Sequence, residues 1–163
     1  METVTTVGVL QAMLLDARQR TLDLIRDLDG AQLMGPRLAV VNPMLWEIGH
    51  LAWFQEYWCL RHLGGTELSP SLRSDADPLY DSSNVPHDIR WDLPLPSLDD
   101  TLKYMQNTLG LVLENLETGR LSPEQRYFAQ LAVFHEDMHD EAFVYTRQTL
   151  GYPPPRALPP VGA

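Results

Sequence analysis

The sequence predicts an all-α fold: a four-helix bundle with one long crossover between the second and third helices. Apolar residues recur at helical spacings, no stretch alternates convincingly with period two, and capping residues delimit four long segments. The chain has 163 residues, of which 44% are hydrophobic and 21% are charged, and this composition is globular. Such a length suffices for one domain with its own core.

The first helix is predicted to span residues 5–28. Its buried face should carry the apolar side chains that recur at spacings of three, four and seven, namely Val7, Leu10, Leu14, Ala17, Leu24 and Leu28. We expect Gly30 to end this helix, because glycine is common directly after a helix.

The second helix is predicted to begin with Asn42 as N-cap and Pro43 at the first helical position, and to stop at Gly64 and Gly65. Its aromatic residues are too numerous for one buried stripe; they are Trp46, Trp53, Phe54, Tyr57 and Trp58. Part of this cluster is interpreted as core. The rest is interpreted as a pocket wall, where a quaternary ammonium could rest on an aromatic face, or as a contact for another domain.

The third and fourth helices each follow a capping-box pattern. Ser97 and Asp100 open the third helix, which should run to Gly119. The fourth helix should run to about Leu150 before Gly151, and its box is formed by Ser122, Pro123 and Gln125. The bundle is therefore predicted to occupy residues 1–151. The proline-rich residues 152–163 are predicted to form a linker to a further domain.

The crossover, residues 66–96, is long for a compact domain, since loops of roughly thirty residues are uncommon unless they have a function. It contains Leu79, Tyr80 and Trp91. Two interpretations stay open: a strap that packs these side chains on the bundle, or a strap that also lines a site.

The charge balance argues against two classes of partner. Twelve Lys and Arg oppose 22 Asp and Glu, so the net charge is −10, which disfavours nucleic acid and anionic membrane surfaces. The single cysteine, Cys59, and the absence of a signal-peptide pattern or a long apolar run predict a cytoplasmic location.

Three histidines are candidate metal ligands. His135 and His139 lie one helical turn apart on the fourth helix, and His50 lies on the aromatic face of the second helix. Three imidazoles leave coordination positions open for substrate, which is typical of a catalytic metal site. The alternative is that each is a hydrogen-bonded core histidine. Glu47 and Glu136 are candidates for orienting the imidazoles, although helical carboxylates are often merely solvated.

Residues 135–139 also match the zinc-protease pattern H-E-x-x-H. Metalloproteases of this type take their third ligand from downstream, and after His139 the chain offers only Asp140 and Glu141, which are too close. This interpretation therefore ranks last. Imidazole donors suit iron, zinc, copper and nickel, so the pattern alone does not choose the metal.

Three separated segments carry a family resemblance: residues 42–50 (NPMLWEIGH), 77–81 (DPLYD) and 135–141 (HEDMHDE). In order and spacing the chain resembles the N-terminal DinB/YfiT-like domain of ergothioneine-type sulfoxide synthases. Residues 46–61 and 147–155 are most similar to the selenoneine synthase branch.

The resemblance implies that His50, His135 and His139 bind a mononuclear non-haem Fe(II). It further implies an O2-dependent reaction that joins sulfur or selenium, from a thiol or selenol donor, to the imidazole C2 of hercynine. The catalytic acid of this family is a tyrosine in a second domain with a formylglycine-generating-enzyme-like fold. We therefore assign no catalytic residue within this chain and expect it to turn over poorly alone.

Family members that use γ-glutamylcysteine have two arginines after the Tyr-Asp motif, where this chain has His87 and Arg90. One cation is missing, which predicts a less anionic donor. Ergothioneine enzymes often have glutamines between the paired histidines, where this chain has Asp137 and Met138. By resemblance and position, the predicted substrate contacts are Tyr80, His87, Arg90, Trp53, Asp137 and Met138.

Two other functions remain open. The wider superfamily includes thiol-dependent transferases that use the same three-histidine layout with zinc or nickel and need no second domain. The other is a non-enzymatic helical interaction module.

Overall fold

The computed structural model describes residues 6–62, 67–118 and 121–155. Its long helices are α1 (Val7–Ile25), α3 (Met44–Glu56), α5 (Leu98–Thr118) and α6 (Pro123–Thr149), and its short helices are α2 (Gly30–Met34) and α4 (Ala76–Tyr80). A π-helical turn, Tyr57–Arg61, extends α3, and a 3-10 turn spans His87–Ile89. The prediction of an all-α fold is confirmed.

The capping box of α6 forms as predicted. The Ser122 side chain accepts the backbone N–H of Gln125, and the Gln125 side chain accepts the backbone N–H of Ser122. Beyond the other end of this helix, Gly151 adopts a positive φ of 67°, which glycine tolerates without strain. Ser97 likewise accepts the backbone N–H of Asp100 at the start of α5.

The predicted end of the first helix was wrong. The backbone N–H of Leu28 donates to the Ile25 carbonyl at 3.1 Å, so the regular helix stops at Ile25. The Leu24 carbonyl, which a longer helix would use for Leu28, accepts from the buried Arg147 guanidinium of α6 at 2.8 Å. Gly30 begins α2 rather than ending α1, and Asp29 caps that helix.

The predicted start of the second helix was also wrong. Pro43 takes the N-cap position and α3 begins at Met44. The Asn42 side chain is not a cap, because it bonds to Glu47 and Arg90. The predicted stops at residues 64, 65 and 119, and residues 1–5 and 156–163, lie outside the described residues.

The bundle pairs its long helices, with α3 against α5, α1 against α6, and α3 also against α6. One apolar cluster surrounds α3 and includes Met44, Trp46, Ile48, Tyr80 and Phe143. A second cluster, towards the other end of α1, includes Leu10, Leu14, Val112, Phe128 and Val133. No helix among the described residues is both long and apolar enough to cross a bilayer.

The crossover packs on the bundle. Leu79 and Tyr80 are buried in the first apolar cluster. The Trp91 indole donates to the backbone carbonyls of Met34 and Gly35. Because the Tyr80 carbonyl also reaches His50, the crossover contributes to the candidate site as well as to the core.

Candidate metal centre

The three predicted histidines meet in the space between α3 and α6. Each imidazole offers one nitrogen, and these nitrogens all lie within 4.8 Å of one another. The Nε2 atoms of His50 and His135 are 3.2 Å apart. The one-turn spacing on α6 gives the pair a common face, and the contact between α3 and α6 supplies the third ring.

His50 is held by a hydrogen bond at one ring nitrogen and by a stacked indole on its face. Nδ1 donates to the Tyr80 carbonyl at 2.8 Å, and since a carbonyl only accepts, Nδ1 carries the proton and Nε2 presents its lone pair to the site. Trp46, one turn earlier, stacks on the ring with centroids 4.9 Å apart and an angle of 9° between planes. The orientation of His50 is therefore set before any ion arrives.

His139 is oriented by a carboxylate. Its Nδ1 donates to Oε1 of Glu47 at 3.3 Å, and that oxygen also accepts from the Asn42 side chain at 3.1 Å. Glu47 is almost fully buried, and its second oxygen has no hydrogen-bond partner among the described residues. An imidazole that donates one N–H to a carboxylate is a stronger ligand through its other nitrogen.

His135 is held by ring stacking. Its ring lies on Phe54 with centroids 3.6 Å apart and planes 8° apart. Its Nδ1 is buried without a hydrogen-bond partner in the part of the chain that the structure describes.

The site disfavours protons on two of its rings. Burial, with His139 nearby, lowers the pKa of His50 to about 3. Burial, with His50 and His139 nearby, lowers the pKa of His135 to about 2. Three ring nitrogens within 4.8 Å of one another, and a buried Nδ1 of His135 without a hydrogen-bond partner among the described residues, fit a divalent transition metal.

These pKa values predict a weak pH dependence of metal affinity. Histidines with ordinary pKa values near 6.5 lose metal as the pH falls, because protons compete with the ion. His50 and His135 stay neutral well below that pH. We expect Zn(II) or Co(II) affinity to fall by about tenfold or less between about pH 6.5 and about pH 5.5, against about a hundredfold for three ordinary histidines. Competition titrations at both pH values measure this; the larger loss would contradict the burial of the site.

Comparison with known families identifies the bundle. A family model described as the DinB superfamily matches residues 13–143, most of the chain. The chain belongs to the DinB superfamily. The three ligand candidates of this DinB bundle all lie inside the matched segment.

The relatives of this DinB bundle include three hercynine oxygenases. The protein of Mycolicibacterium thermoresistibile is 34% identical over 137 residues, which are 83% of this chain and 30% of that protein. The Mycolicibacterium smegmatis protein is 30% identical over 85% of this chain and 32% of its own length. The Mycobacterium tuberculosis protein is 30% identical over 86% of this chain and 32% of its own length. The chain thus spans about a third of the length of these relatives.

Two predicted substrate contacts in the crossover of the DinB bundle are bonded within the chain. The Arg90 guanidinium lies 3.8 Å from the Trp46 ring centroid and donates to Asn42 at 2.8 Å and to the Val85 carbonyl at 3.2 Å. Burial lowers the pKa of Arg90. His87 donates through Nε2 to the Val41 carbonyl at 2.6 Å.

Two more of the predicted substrate contacts, Tyr80 and Trp53, lie beside His50 and differ in whether the side chain reaches the candidate site. The Tyr80 side chain is fully buried in the core, and only its carbonyl reaches the site. The Trp53 ring packs on His50 at 5.7 Å, and its indole N–H donates to Asp77 at 2.7 Å. Trp53 is therefore the one of this pair whose side chain contacts a ligand ring.

The remaining predicted residues on α6 of the bundle face in three directions. Glu136 points towards α1, where its carboxylate accepts from Arg18 rather than orienting an imidazole. Asp137 is half-exposed and pairs with Arg20 at 2.7 Å. Met138 is 56% exposed on the outer face of the helix.

A buried polar network behind the three candidate histidines was not predicted from the sequence. Arg18 donates to Glu136 at 2.7 Å and to Gln55 at 3.1 Å, while the Thr21 hydroxyl lies 2.9 Å from Glu136 and 2.8 Å from Asp140. One hydroxyl proton cannot serve both carboxylates. Burial and the neighbouring Glu136 raise the pKa of Asp140 to about 7, so this group can hold the second proton. The network fixes α6 against α1 and α3.

A signal for this network was present in the sequence. Arg18 and Thr21 follow Leu14 and Ala17 by four residues each, so they extend the apolar stripe of the first helix with polar side chains. A cation on a buried helical face requires a buried partner.

Proposed function

We propose that this chain is the metal-binding part of a non-haem Fe(II), O2-dependent enzyme that joins sulfur or selenium to the imidazole C2 of hercynine. The co-substrate is a thiol or a selenol. The observation that carries the proposal is the convergence of three imidazoles from α3 and α6 in a bundle whose relatives are named hercynine oxygenases. We place the reaction in the cytoplasm, where Cys59 stays reduced.

The groups around the three imidazoles fix the orientation of these rings, and the tautomers of two of them, before an ion binds. Iron held by His50, His135 and His139 would supply the redox chemistry with dioxygen and a template for both substrates. The Tyr80 carbonyl fixes the tautomer of His50, and the Glu47 carboxylate fixes that of His139. Because these partners are buried, the ligand rings need little reorganisation on binding an ion.

We infer that a further domain covers the outer side of this site. Phe134 and Met138 are 61% and 56% exposed and flank His135 on α6. Tyr127 and Tyr145 extend the same apolar stripe at spacings of seven residues and are 60% and 47% exposed. The relatives are about three times as long as the chain, which leaves room for such a domain. We propose that residues 1–151 form the bundle and 152–163 the linker, and that the catalytic acid comes from the added domain.

The charges near the crossover favour a donor with few carboxylates. Arg90 is bonded to Asn42 and the Val85 carbonyl, and His87 is bonded to the Val41 carbonyl. An anionic donor would have to displace these contacts to gain a cation. We therefore propose a weakly anionic donor, such as a selenosugar.

The orienting role of Glu47 gives a separate prediction. Glu47→Gln is expected to lower metal affinity by about 10- to 100-fold, because the replaced carboxylate no longer strengthens His139 as a ligand. The matched control is Glu141→Gln, an exposed carboxylate on α6, which should leave the affinity unchanged. Equal affinities of the two variants in a chelator competition would contradict the role of Glu47.

The substrate assignment is tested by spectroscopy of the Co(II)- or Fe(II)-loaded chain under nitrogen. Hercynine is expected to perturb the ligand-field spectrum at a single saturable site, and glycine betaine, which lacks an imidazole, is not. Tight zinc or nickel with no response to hercynine would instead support a thiol-dependent transferase. A chain that binds no metal would be a helical interaction module.

Turnover gives an independent test of the missing domain. We expect the 163-residue chain to convert hercynine far more slowly than a longer natural version that includes the additional domain. Comparable rates of C2-thiolation or C2-selenation would overturn this part of the proposal.

A further inference from the structure

A small aromatic cavity lies beside the metal ligands and has no part in holding the metal. Its volume is about 200 Å³, and its walls include Trp53, Phe54, Tyr57, Trp58 and Asp81. We call this space the aromatic cavity. A cavity walled by four aromatic rings and a carboxylate is unusual, because clustered aromatic rings normally pack against one another in a core and leave no open space.

The sequence builds these walls from two pairs of residues one helical turn apart. Trp53 and Tyr57 form one pair, and Phe54 and Trp58 form the other. The rings meet at open angles: Trp53 and Tyr57 have centroids 5.1 Å apart and planes 40° apart, and Tyr57 and Trp58 have centroids 5.1 Å apart and planes 70° apart. The π-helical turn begins at Tyr57, and such turns are frequent at functional sites.

The charges around the aromatic cavity favour a cation. Asp81 is held at the rim, since its carboxylate accepts from the Ser83 backbone at 3.0 Å and from the Asn84 side chain at 2.7 Å. The nearby cation is Arg61, which lies 5.5 Å from the Tyr57 ring centroid. Its charge is balanced by two hydrogen bonds to Asp77, at 2.6 and 2.9 Å. The π faces, Asp81, Ser82 and Ser83 therefore remain as the groups that a ligand meets.

The aromatic cavity is adjacent to the metal ligands. Trp53 packs on His50 with centroids 5.7 Å apart, and Phe54 stacks on His135 at 3.6 Å. A group bound in the cavity is thus separated from two ligand rings by a single aromatic layer. In a histidine betaine, only Cα and Cβ separate the ammonium from the imidazole, so the sites for these two groups have to lie close together, as the aromatic cavity and the ligand rings do.

We propose that the aromatic cavity binds the quaternary ammonium of the imidazole substrate and selects it over an unmethylated amine. A trimethylammonium group has no N–H to satisfy and is weakly hydrated, so aromatic faces and one carboxylate are sufficient partners. A primary ammonium would lose hydrogen bonds to water on the side that faces the four rings, and Asp81, Ser82 and Ser83 can replace them only on the other side. This inference rests on the proposed function for the identity of the substrate, hercynine.

The test compares hercynine and histidine binding to the Co(II)-loaded chain by calorimetry. Tyr57→Leu removes one ring, and Tyr57→Phe keeps it. We expect Tyr57→Leu to weaken hercynine binding by about 5- to 30-fold and Tyr57→Phe by about twofold or less, with histidine affected little by either. Asp81→Asn, which keeps an acceptor oxygen for Ser83, should also weaken hercynine selectively. The control is Leu111→Ala, because Leu111 is an exposed apolar side chain on α5 and does not line the aromatic cavity.

Metal content and circular dichroism of each variant verify that the fold and the metal site are intact. Tetramethylammonium titrated into the metal-free chain then tests the aromatic cavity without the metal. If hercynine binds the wild type but Tyr57→Leu and Asp81→Asn bind it equally well, the inference fails while the proposed function stands. If hercynine does not bind but tetramethylammonium does, and Tyr57→Leu abolishes that binding, the ammonium site stands and the proposed substrate fails. If neither ligand binds, both fail.

Discussion

Replacing Gly49 with alanine is expected to destabilise the chain by about 3 kcal/mol and to weaken metal binding at the same time. A Cβ at this position would lie 2.2 Å from a ring carbon of Tyr80, well inside contact distance. Tyr80 is fully buried and has no room to retreat, because it packs within the apolar cluster around α3. Glycine is needed here for close approach between α3 and the crossover.

The same contact links stability to the metal site. The backbone carbonyl of Tyr80 accepts from Nδ1 of His50, the residue directly after Gly49. Displacing Tyr80 therefore removes the acceptor that fixes the His50 tautomer. We expect metal affinity to fall by about tenfold or more in Gly49→Ala molecules that remain folded.

Urea unfolding and a chelator competition measure both effects. Gly110→Ala is the matched control, because Gly110 lies within α5 and a Cβ there would have no atom within 4 Å. That variant should gain about 0.5–1 kcal/mol from helix propensity and keep its metal affinity. Similar behaviour of the two alanine variants would show that Tyr80 does not pack against Gly49.

The second large effect is expected from Arg18→Met, which should cost about 3–5 kcal/mol. Arg18 and Glu136 are buried, with their side chains 7% and 3% exposed, and are joined by a 2.7 Å ion pair. Removing the guanidinium leaves the Glu136 carboxylate in the core, where the Thr21 hydroxyl is its remaining hydrogen-bond donor among the described residues. An uncompensated buried charge is more costly than the loss of a surface pair.

The double variant Arg18→Met with Glu136→Leu distinguishes the cost of an unpaired buried charge from the cost of lost packing. It should recover most of the lost stability, since apolar groups of similar volume can replace a buried ion pair. Arg20→Met is the matched control. The Arg20 side chain is 39% exposed in its ion pairs with Asp16, Asp137 and Asp140, so the loss of these pairs should cost about 1 kcal/mol or less. An Arg18→Met variant as stable as Arg20→Met would contradict the buried network.

The convergence of the three candidate histidines was predictable because it follows mainly from helix periodicity. His135 and His139 share a face through their spacing of four, and the aromatic neighbours of His50 mark its face as inward. The capping box at Ser122 was predictable for a similar reason, since both of its hydrogen bonds are local.

The features that were missed depend on contacts between distant parts of the chain. The first helix stops at Ile25, where the Leu24 carbonyl accepts a hydrogen bond from Arg147 of α6 instead of continuing the helix. Asn42 bridges Glu47 and Arg90 instead of capping α3, and Arg90 reaches it from the crossover. Local propensity carries no information on such partners. The position of Arg18 on an apolar face was a usable signal that a buried partner exists, but it was not used.

Metal content of the anaerobically purified chain is the most direct test of the central claim that His50, His135 and His139 form an iron site. The wild type is compared with His50→Ala and His139→Ala, and with His62→Ala as a control, because His62 is exposed and stacks on Trp58 outside the ligand cluster. We expect near-stoichiometric Fe(II) in the wild type and in His62→Ala, and a loss of affinity of about a hundredfold or more in each of the other two variants. Iron that persists undiminished in His50→Ala and His139→Ala, or a wild type that binds none, would contradict the account.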